Sequence, residues 1–522
     1  MKKVSIWPVD NSDRISRRSF LSVCGACTAC FAASTYAGLN TLSSCKSKEK
    51  TRIRIIYSLH AEKQDRPDWP NVGFDFSPVM DRINSELTSQ LSNVEFLPLM
   101  ATGQEEAEKI LARDVTENID GYLVYQMNCW NQVVQTIAKS GKPVLYADFQ
   151  YGGSGGFLVY NAAFLRDMNT NVGFVASSKM EDLIAAVKCF EIVKNGGSAQ
   201  DFVIATSNVR GKNTPASGSL SCNPDEINLL STAECIEQLK GSKILAVRDT
   251  ESAILDSFMH IPVHQIPFEE VNTAFEQADK DEAQEIANLW IQNATDVIDV
   301  STETLNASAE FYLGMKDVLK KHDANAITIN CLGGFYGGHI HAYPCLGFHQ
   351  LNNEGLIGAC ECDIESTATM LAFTTLTQGR PGYISDPVID TSKGQIIYAH
   401  CVGSNKVFGP DGSTNPYAIM THSEDRQGAS VRSILPVGYM TSSMRAKNAT
   451  KEIIFHQAKA VDNDPDDRAC RTKLCAEPVG DIEKLFTMWD KWSWHRVTYY
   501  GDLKEPAYEL ADATGFKIVE EA

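Results

Sequence analysis

The chain reads as an α/β protein in which two units of parallel sheet are followed by a β-rich C-terminal region. Three observations lead there. Apolar strand-like runs alternate with helical patterns from residue 51 to about residue 207, and a second alternation of the same kind starts at residue 243. After about residue 383 short strands separated by Gly, Pro and Asn turns take over. The expected domains are therefore an N-terminal α/β domain over 51–235, a second α/β domain over 236–382 and a β-rich domain over 383–522. A chain of 522 residues and 57.4 kDa is too long for one ordinary core, which agrees with several domains.

Residues 1–45 stand apart from that fold. Ser16-Arg17-Arg18-Ser19-Phe20-Leu21 has the twin-arginine export pattern and precedes an apolar, small-residue stretch from Val23 to Leu39. Leu42-Ser43-Ser44-Cys45 resembles a lipobox, in which Cys45 takes the diacylglycerol. The expected location is periplasmic or at the cell surface, with a lipid anchor as the one membrane attachment. Cys24, Cys27 and Cys30 mimic a cluster motif but belong to this leader.

The body opens on the strand Ile53-Arg54-Ile55-Ile56-Tyr57. Gly121-Tyr122-Leu123-Val124-Tyr125 and Pro143-Val144-Leu145-Tyr146 are further strands around a helix over 131–140. Gly152-Gly153-Ser154-Gly155-Gly156 follows a strand, but it lacks the GxGxxG spacing and the acid downstream that a dinucleotide site needs. Residues 209–221 are rich in Gly, Ser, Asn and Pro and read as a loop. The second unit runs from Lys243-Ile244-Leu245-Ala246-Val247 through helical patterns over 271–321 to the strand Ala326–Cys331.

Net charge is −19, from 47 Lys+Arg against 66 Asp+Glu, with no basic run in the body, so nucleic acid is excluded as a partner. Eleven cysteines follow Cys45 without framework spacing, and Cys470 with Cys475 is the one candidate disulfide.

The chemistry concentrates in Gly358-Ala359-Cys360-Glu361-Cys362-Asp363-Ile364. A strand over 356–360 leads into a helix from about 364 to 378, for which Asp363 is placed as N-cap and Glu365 as first-turn acid. Glu361 has no structural duty and sits at the carboxyl end of a strand, where open α/β sheets bind ligands. Asp386 follows Tyr383-Ile384-Ser385, and His400 closes the strand Gln395–Ala399. Two carboxylates and a histidine at strand ends make an oxygen/nitrogen set suited to Mn²⁺ or a similar divalent ion. His339 and His341, in a glycine-rich HxH segment, are candidates for the mouth of a pocket, and His422 reads as a loop or surface histidine. Trp492, Trp494, Tyr499 and Tyr500 could stack on a sugar or fill a core.

Pro344-Cys345-Leu346, the segment Leu351–Leu356, the Glu361 turn with Thr369–Leu371, Gly379-Arg380-Pro381 and Trp494-His495-Arg496-Val497-Thr498 together resemble the L-fucose/L-arabinose isomerase group over residues 325–402 and 490–505. The resemblance implies two Rossmann-like α/β domains and a barrel-like C-terminal domain. It also implies a Mn²⁺ site on Glu361, Asp386 and His400, with His495 as a further ligand, and catalytic roles for Glu361 and Asp386. Arg380 and Trp494 join His339 and His341 as candidate substrate contacts. The implied activity is interconversion of an aldose and a ketose through an enediol, by a homo-oligomer acting on a small carbohydrate. An epimerase or lyase would use the same chemistry, and a non-catalytic carbohydrate-binding lipoprotein would use the same fold.

Overall fold

The computed structural model describes residues 49–522, of which Lys50–Ala522 form one compact unit. Arg17, Arg18, the Cys24–Cys30 run and Cys45 lie outside the described residues.

Five strands make the first sheet: β1 (Thr51–Ser58), β2 (Val94–Ala101), β3 (Gly121–Gln126), β4 (Val144–Asp148) and β5 (Val172–Val175). Their order is β2-β1-β3-β4-β5 and every pairing is parallel. Helices pack on both faces, which is why β1, β3 and β4 are buried along nearly their whole length rather than at alternate residues. The helix Ser77–Gln90 shows how: Met80, Ile83 and Leu87 fall on one stripe and are buried. The glycines of 152–156 serve close packing. A Cβ on Gly153 would stand 2.0 Å from the Gln126 carbonyl oxygen, and one on Gly155 would stand 2.6 Å from the Trp494 ring.

The expected loop at 209–221 begins later than its composition suggests. The helix Ala199–Asn213 runs through 209–213. Ser198 and Asp201 start it as a capping box, and Arg210 holds its last turn in place. The guanidinium of Arg210 lies 3.5 Å over the Phe174 ring and pairs with Glu483 at 2.6 Å. Those partners are remote in sequence, so a local reading misses them.

β6 (Ile244–Arg248), β7 (Ala253–Phe258), β8 (Ile261–Pro267), β10 (Ala326–Ile329) and β11 (Ile357–Ala359) form the second sheet, ordered β11-β10-β6-β8-β7, with β7 alone antiparallel. β9 (Val297–Ile298) leaves that sheet and pairs with β14 (Tyr417–Met420), which pairs with β15 (Ser430–Ser433), so this small sheet takes strands from both sides of residue 383.

The C-terminal region is a closed barrel of six strands. β12 (Tyr383–Asp390), β13 (Gln395–His400), β16 (Met440–Lys447), β17 (Glu452–Asn463), β18 (Thr472–Pro478) and β19 (Arg496–Tyr500) run in the order β16-β19-β12-β13-β18-β17, and β17 pairs back onto β16. β20 (Lys517–Glu520) adds to β17 in parallel. All eleven cysteines among the described residues are free thiols, so Cys470 and Cys475 are not bridged.

A fully buried polar network crosses the barrel. Arg496 on β19 meets Glu521 through Nε at 3.0 Å and Nη2 at 2.5 Å, His456 on β17 meets Glu521 at 3.0 Å, and Tyr398 on β13 meets His456 at 2.6 Å. Burial opposes a charge on Glu521, but Arg496 and then His456 outweigh it and bring the carboxyl from an ordinary 4.5 to about 2. A carboxyl depressed in the folded state stabilises above its unfolded value and loses that contribution as pH falls towards its folded value. Glu521→Gln is therefore expected to lower the melting temperature at pH 7, by an amount corresponding to about 3 kcal/mol. The gap to the parent should close between about pH 5 and pH 2. A gap independent of pH would show that the carboxylate charge is not what holds the network.

Candidate metal centre

Glu361 owes its position to an uncommon turn. After β11 the chain places Glu361 at φ 61° and Cys362 at φ 51°, both left-handed, before the helix Ile364–Leu376 starts at Asp363. Non-glycine residues resist this region, so neighbours must hold the turn. The Cys362 N–H donates to the Ile329 carbonyl at 2.9 Å. Arg248 donates to the Cys362 sulfur at 3.0 Å and to its carbonyl at 3.3 Å.

The other three groups come from adjacent barrel strands. Asp386 on β12 is opposite Ala399 on β13, beside the terminal His400. Ser385 is opposite Arg496 on β19, beside His495. Strand pairing puts His495 level with Asp386 and His400 one residue beyond Asp386's partner, so the three meet Glu361 at one rim of the barrel. All three are buried, at 4%, 3% and 8% exposure, and Glu361 is half-buried.

One ligand atom from each of Glu361, Asp386, His400 and His495 lies within 4.8 Å of all the others. His400 Nε2 is 3.9 Å from both Glu361 Oε1 and Asp386 Oδ2. His495 Nε2 is 3.4 Å from Glu361 Oε2 and 3.1 Å from Asp386 Oδ1. These separations suit ligands around one divalent ion, which binds oxygen and nitrogen at about 2.0–2.3 Å. Hydrogen-bond accounting agrees. Both ring nitrogens of His400 and Oδ1 of Asp386 are buried without a hydrogen bond, and an unsatisfied buried polar atom costs about 1–3 kcal/mol. This donor set can hold a divalent metal ion.

Asp363 supports the cluster from behind. It caps the helix through Ser366 N at 3.1 Å, meets Arg445 Nη2 at 3.0 Å and accepts His495 Nδ1–H at 2.8 Å. That last bond leaves Nε2 of His495 as the nitrogen facing Glu361 and Asp386, where it carries a proton or, in exchange for it, can take a metal ion. Burial works against a charge on Asp363, but Arg445 and His495 outweigh it and hold its carboxyl well below the usual carboxylate range. Burial likewise opposes ionisation of Glu361, and His495 and His400 overcome it, so its carboxyl lies below its ordinary value. His495 is held well above an ordinary imidazole, because Glu361 and Asp363 outweigh the cost of burying its cation.

The cluster opens into a cleft of about 660 Å³ lined by the Trp69, Trp130, Trp489 and Trp494 side chains. Trp494, expected as a substrate contact, is edge-on to Trp69 at 5.1 Å and to Trp130 at 6.0 Å. Trp69, Trp130, Trp489 and Glu424 escaped the sequence reading. Trp130 lies just beyond the carboxyl end of β3, a position where a strand-end rule would have pointed. Glu424 accepts Tyr336 Oη–H at 2.8 Å, and burial first of all pushes its carboxyl up to about 8.

Three expected substrate contacts are elsewhere. Arg380 is buried, gripping Asp225 at 2.6 and 2.7 Å and the Glu226 carbonyl at 2.7 Å, so it ties the segment before helix Thr232–Gly241 to the barrel region. His339 and His341 line a separate acidic cleft, 3.5 Å from Asp249 and Glu276 respectively. His422 is no surface residue: it is buried with Nδ1 3.1 Å from Asp425. Tyr499, Tyr500 and Trp492 are core residues.

No protein-family model matches the chain. Curated relatives include the sulfoquinovose isomerases of Priestia aryabhattai and Priestia megaterium, each 25% identical over 219 residues, which is 38% of this chain and 48% of theirs. The sulfoquinovose isomerase of Alkalicoccus urumqiensis is 26% identical over 99 residues, 19% of this chain and 22% of its own. The chain thus spans about half the length of the curated relatives it matches. Among solved structures, a XylFII-LytSN complex is 13% identical over 56% of this chain and 86% of that one, at a TM-score of 0.15 that carries no weight.

Asp363→Asn keeps a competent helix cap but removes the charge that orients His495. Its expected effect is a 10–100-fold loss of Mn²⁺ affinity by titration calorimetry, with near-native circular dichroism. Unchanged affinity would disconnect Asp363 from the cluster.

Proposed function

We propose that this protein is a divalent-metal-dependent isomerase interconverting an aldose and a ketose, with Mn²⁺ as the natural ion for its two carboxylates and two imidazoles. The convergence of Glu361, Asp386, His400 and His495, with His400 and Asp386 carrying unsatisfied buried atoms, is the observation that supports it most. The sugar isomerases among the relatives support the same reaction class.

When bound, the metal polarises the substrate's carbonyl oxygen and the neighbouring hydroxyl oxygen. The chain supplies the rest. Glu361 is the more exposed of the two carboxylates, at 32% of its side chain against 6% for Asp386. It therefore reaches the sugar as the base that takes the proton from C2 and returns it to C1 across a cis-enediol, while the C2 hydroxyl proton passes to the C1 oxygen. His495 and His400 keep its carboxyl ionised at neutral pH against the cost of burial, which is the form that accepts a proton. Asp386, His400 and His495 hold the ion in place, and the tryptophan wall excludes water from the sugar's apolar face.

Glu361→Gln is expected to lower turnover of the preferred aldose by about 10²–10⁴-fold in Mn²⁺-loaded protein, and chelator to abolish turnover of the parent. Glu354 is the matched control. It accepts from Gln350 at 2.8 Å and pairs with Lys316 at 3.2 Å on a different surface, so Glu354→Gln should leave the rate nearly unchanged. Equal losses in both variants would mean that Glu361 is the wrong carboxylate. Sugar binding that is indifferent to chelator, without turnover, would instead establish a carbohydrate-binding lipoprotein.

Export by the twin-arginine route with a lipid on Cys45 is proposed on the leader motif. Cys45→Ala should move the protein from the membrane to the soluble fraction, and unchanged membrane fractionation would remove the anchor.

A further inference from the structure

Resting on the sugar-site reading above, we infer that the cleft takes an uncharged monosaccharide and turns away sulfonated, phosphorylated and uronic sugars. The cleft is lined by Trp69, Trp130, Trp489 and Trp494, of which Trp130 and Trp494 keep exposed ring surface, and bears Asp68, Glu424 and Asp490 around the cluster's own Glu361 and Asp386. Among the described residues, no lysine or arginine lines it. An anionic group buried against such a wall needs a guanidinium, an ammonium or free backbone N–H groups, and otherwise loses its hydration without replacement.

Three guanidiniums near the cluster are committed elsewhere, and Arg66 and Lys491, next in sequence to the lining residues Pro67 and Asp490, are exposed and do not line the cleft. Arg166 donates to Asp490 at 2.7 Å, Arg248 serves the Cys362 turn and Arg445 serves Asp363. His60 sits 3.0 Å from Asp68. The amino end of helix Ser154–Leu165 offers no anion seat either. Gly155 lies directly against the Trp494 ring, and the Gly156 N–H is taken by the Cys129 sulfur at 3.4 Å. A divalent ion would be matched by the charges of Glu361 and Asp386, which leaves Asp68 to set a negative field over the rest of the sugar.

The same surface fits a neutral sugar group by group. Carboxylates accept hydroxyl protons, tryptophan faces and edges take the C–H surface of the ring, and Glu424 with Tyr336 can donate as well as accept. The unsatisfied Asp386 Oδ1 and His400 nitrogens mark the floor at which the reacting end lies. Sulfoquinovose, the sulfonated hexose in the relatives' name, finds no partner here for its sulfonate.

The test compares Mn²⁺-loaded full-length protein with neutral aldopentoses, aldohexoses and 6-deoxyaldohexoses against sulfoquinovose, glucuronate and glucose 6-phosphate, by titration calorimetry and by turnover. At least one neutral sugar is expected to exceed every anionic sugar by 100-fold or more in affinity or kcat/KM. Asp68→Asn should narrow that ratio, more so at low salt than at high salt. Trp130→Ala, at a half-exposed position, should raise KM for the neutral sugar several-fold with little change in kcat. An anionic sugar preferred over its neutral counterpart overturns the inference while leaving the isomerase reading in place. Neutral sugars that bind selectively without turnover uphold the charge preference and remove the isomerase reading. No binding of any sugar by the loaded protein overturns both.

Discussion

The carboxylate of Asp363 is the point on which the rest of this structure turns. It starts a helix of the second α/β sheet, receives Arg445 from β16 of the barrel and fixes the ring of His495 at the mouth of β19. One small anion thus sets a secondary-structure boundary, a contact between two sheets and the orientation of a ligand. A polar group buried among three donors is costly to disturb, because any lost partner leaves the others uncompensated. The geometry of the cluster is as rigid as this anchor.

Around that anchor the barrel acts as a register device. Asp386 and His400 lie on neighbouring strands and His495 immediately precedes a third, and pairing across Ser385–Arg496 and Asp386–Ala399 brings them to one rim. A slip of one residue would turn each of them to the opposite face. Closure of β17 onto β16 leaves no edge along which the six strands could slide, and the Arg496–Glu521–His456 network pins the strands internally. Glu361 is the exception, reaching the rim from a different sheet.

Much of this was legible in the sequence where local rules sufficed. Once Asp363 and Glu365 had been assigned to the helix start, Glu361 remained as a carboxylate without structural work, and the structure gives Asp363 that capping bond. Alternation of strands and helices foretold two α/β sheets and a β-rich end, though not that β7 would be antiparallel or that β9 would cross to the C-terminal side. His495 was reachable only through family resemblance, since nothing local sets it apart from other histidines. Arg380 was misread because its partner Asp225 is 155 residues away, and the end of helix Ala199–Asn213 because Arg210 is held by Glu483, 273 residues away. Trp69, Trp130 and Glu424 come from three separate loops, and no spacing in the chain announces that they face one cavity.

The turn at Glu361 and Cys362 has a bearing on how this protein can be engineered. Two consecutive side chains occupy backbone conformations that glycine adopts freely, each at a cost of about 1 kcal/mol or more. A laboratory selection for heat tolerance alone would therefore favour glycine at both positions, Glu361 of the metal cluster included. Directed evolution of this chain needs a functional filter in every round, because here the gradient of folding stability points away from chemistry.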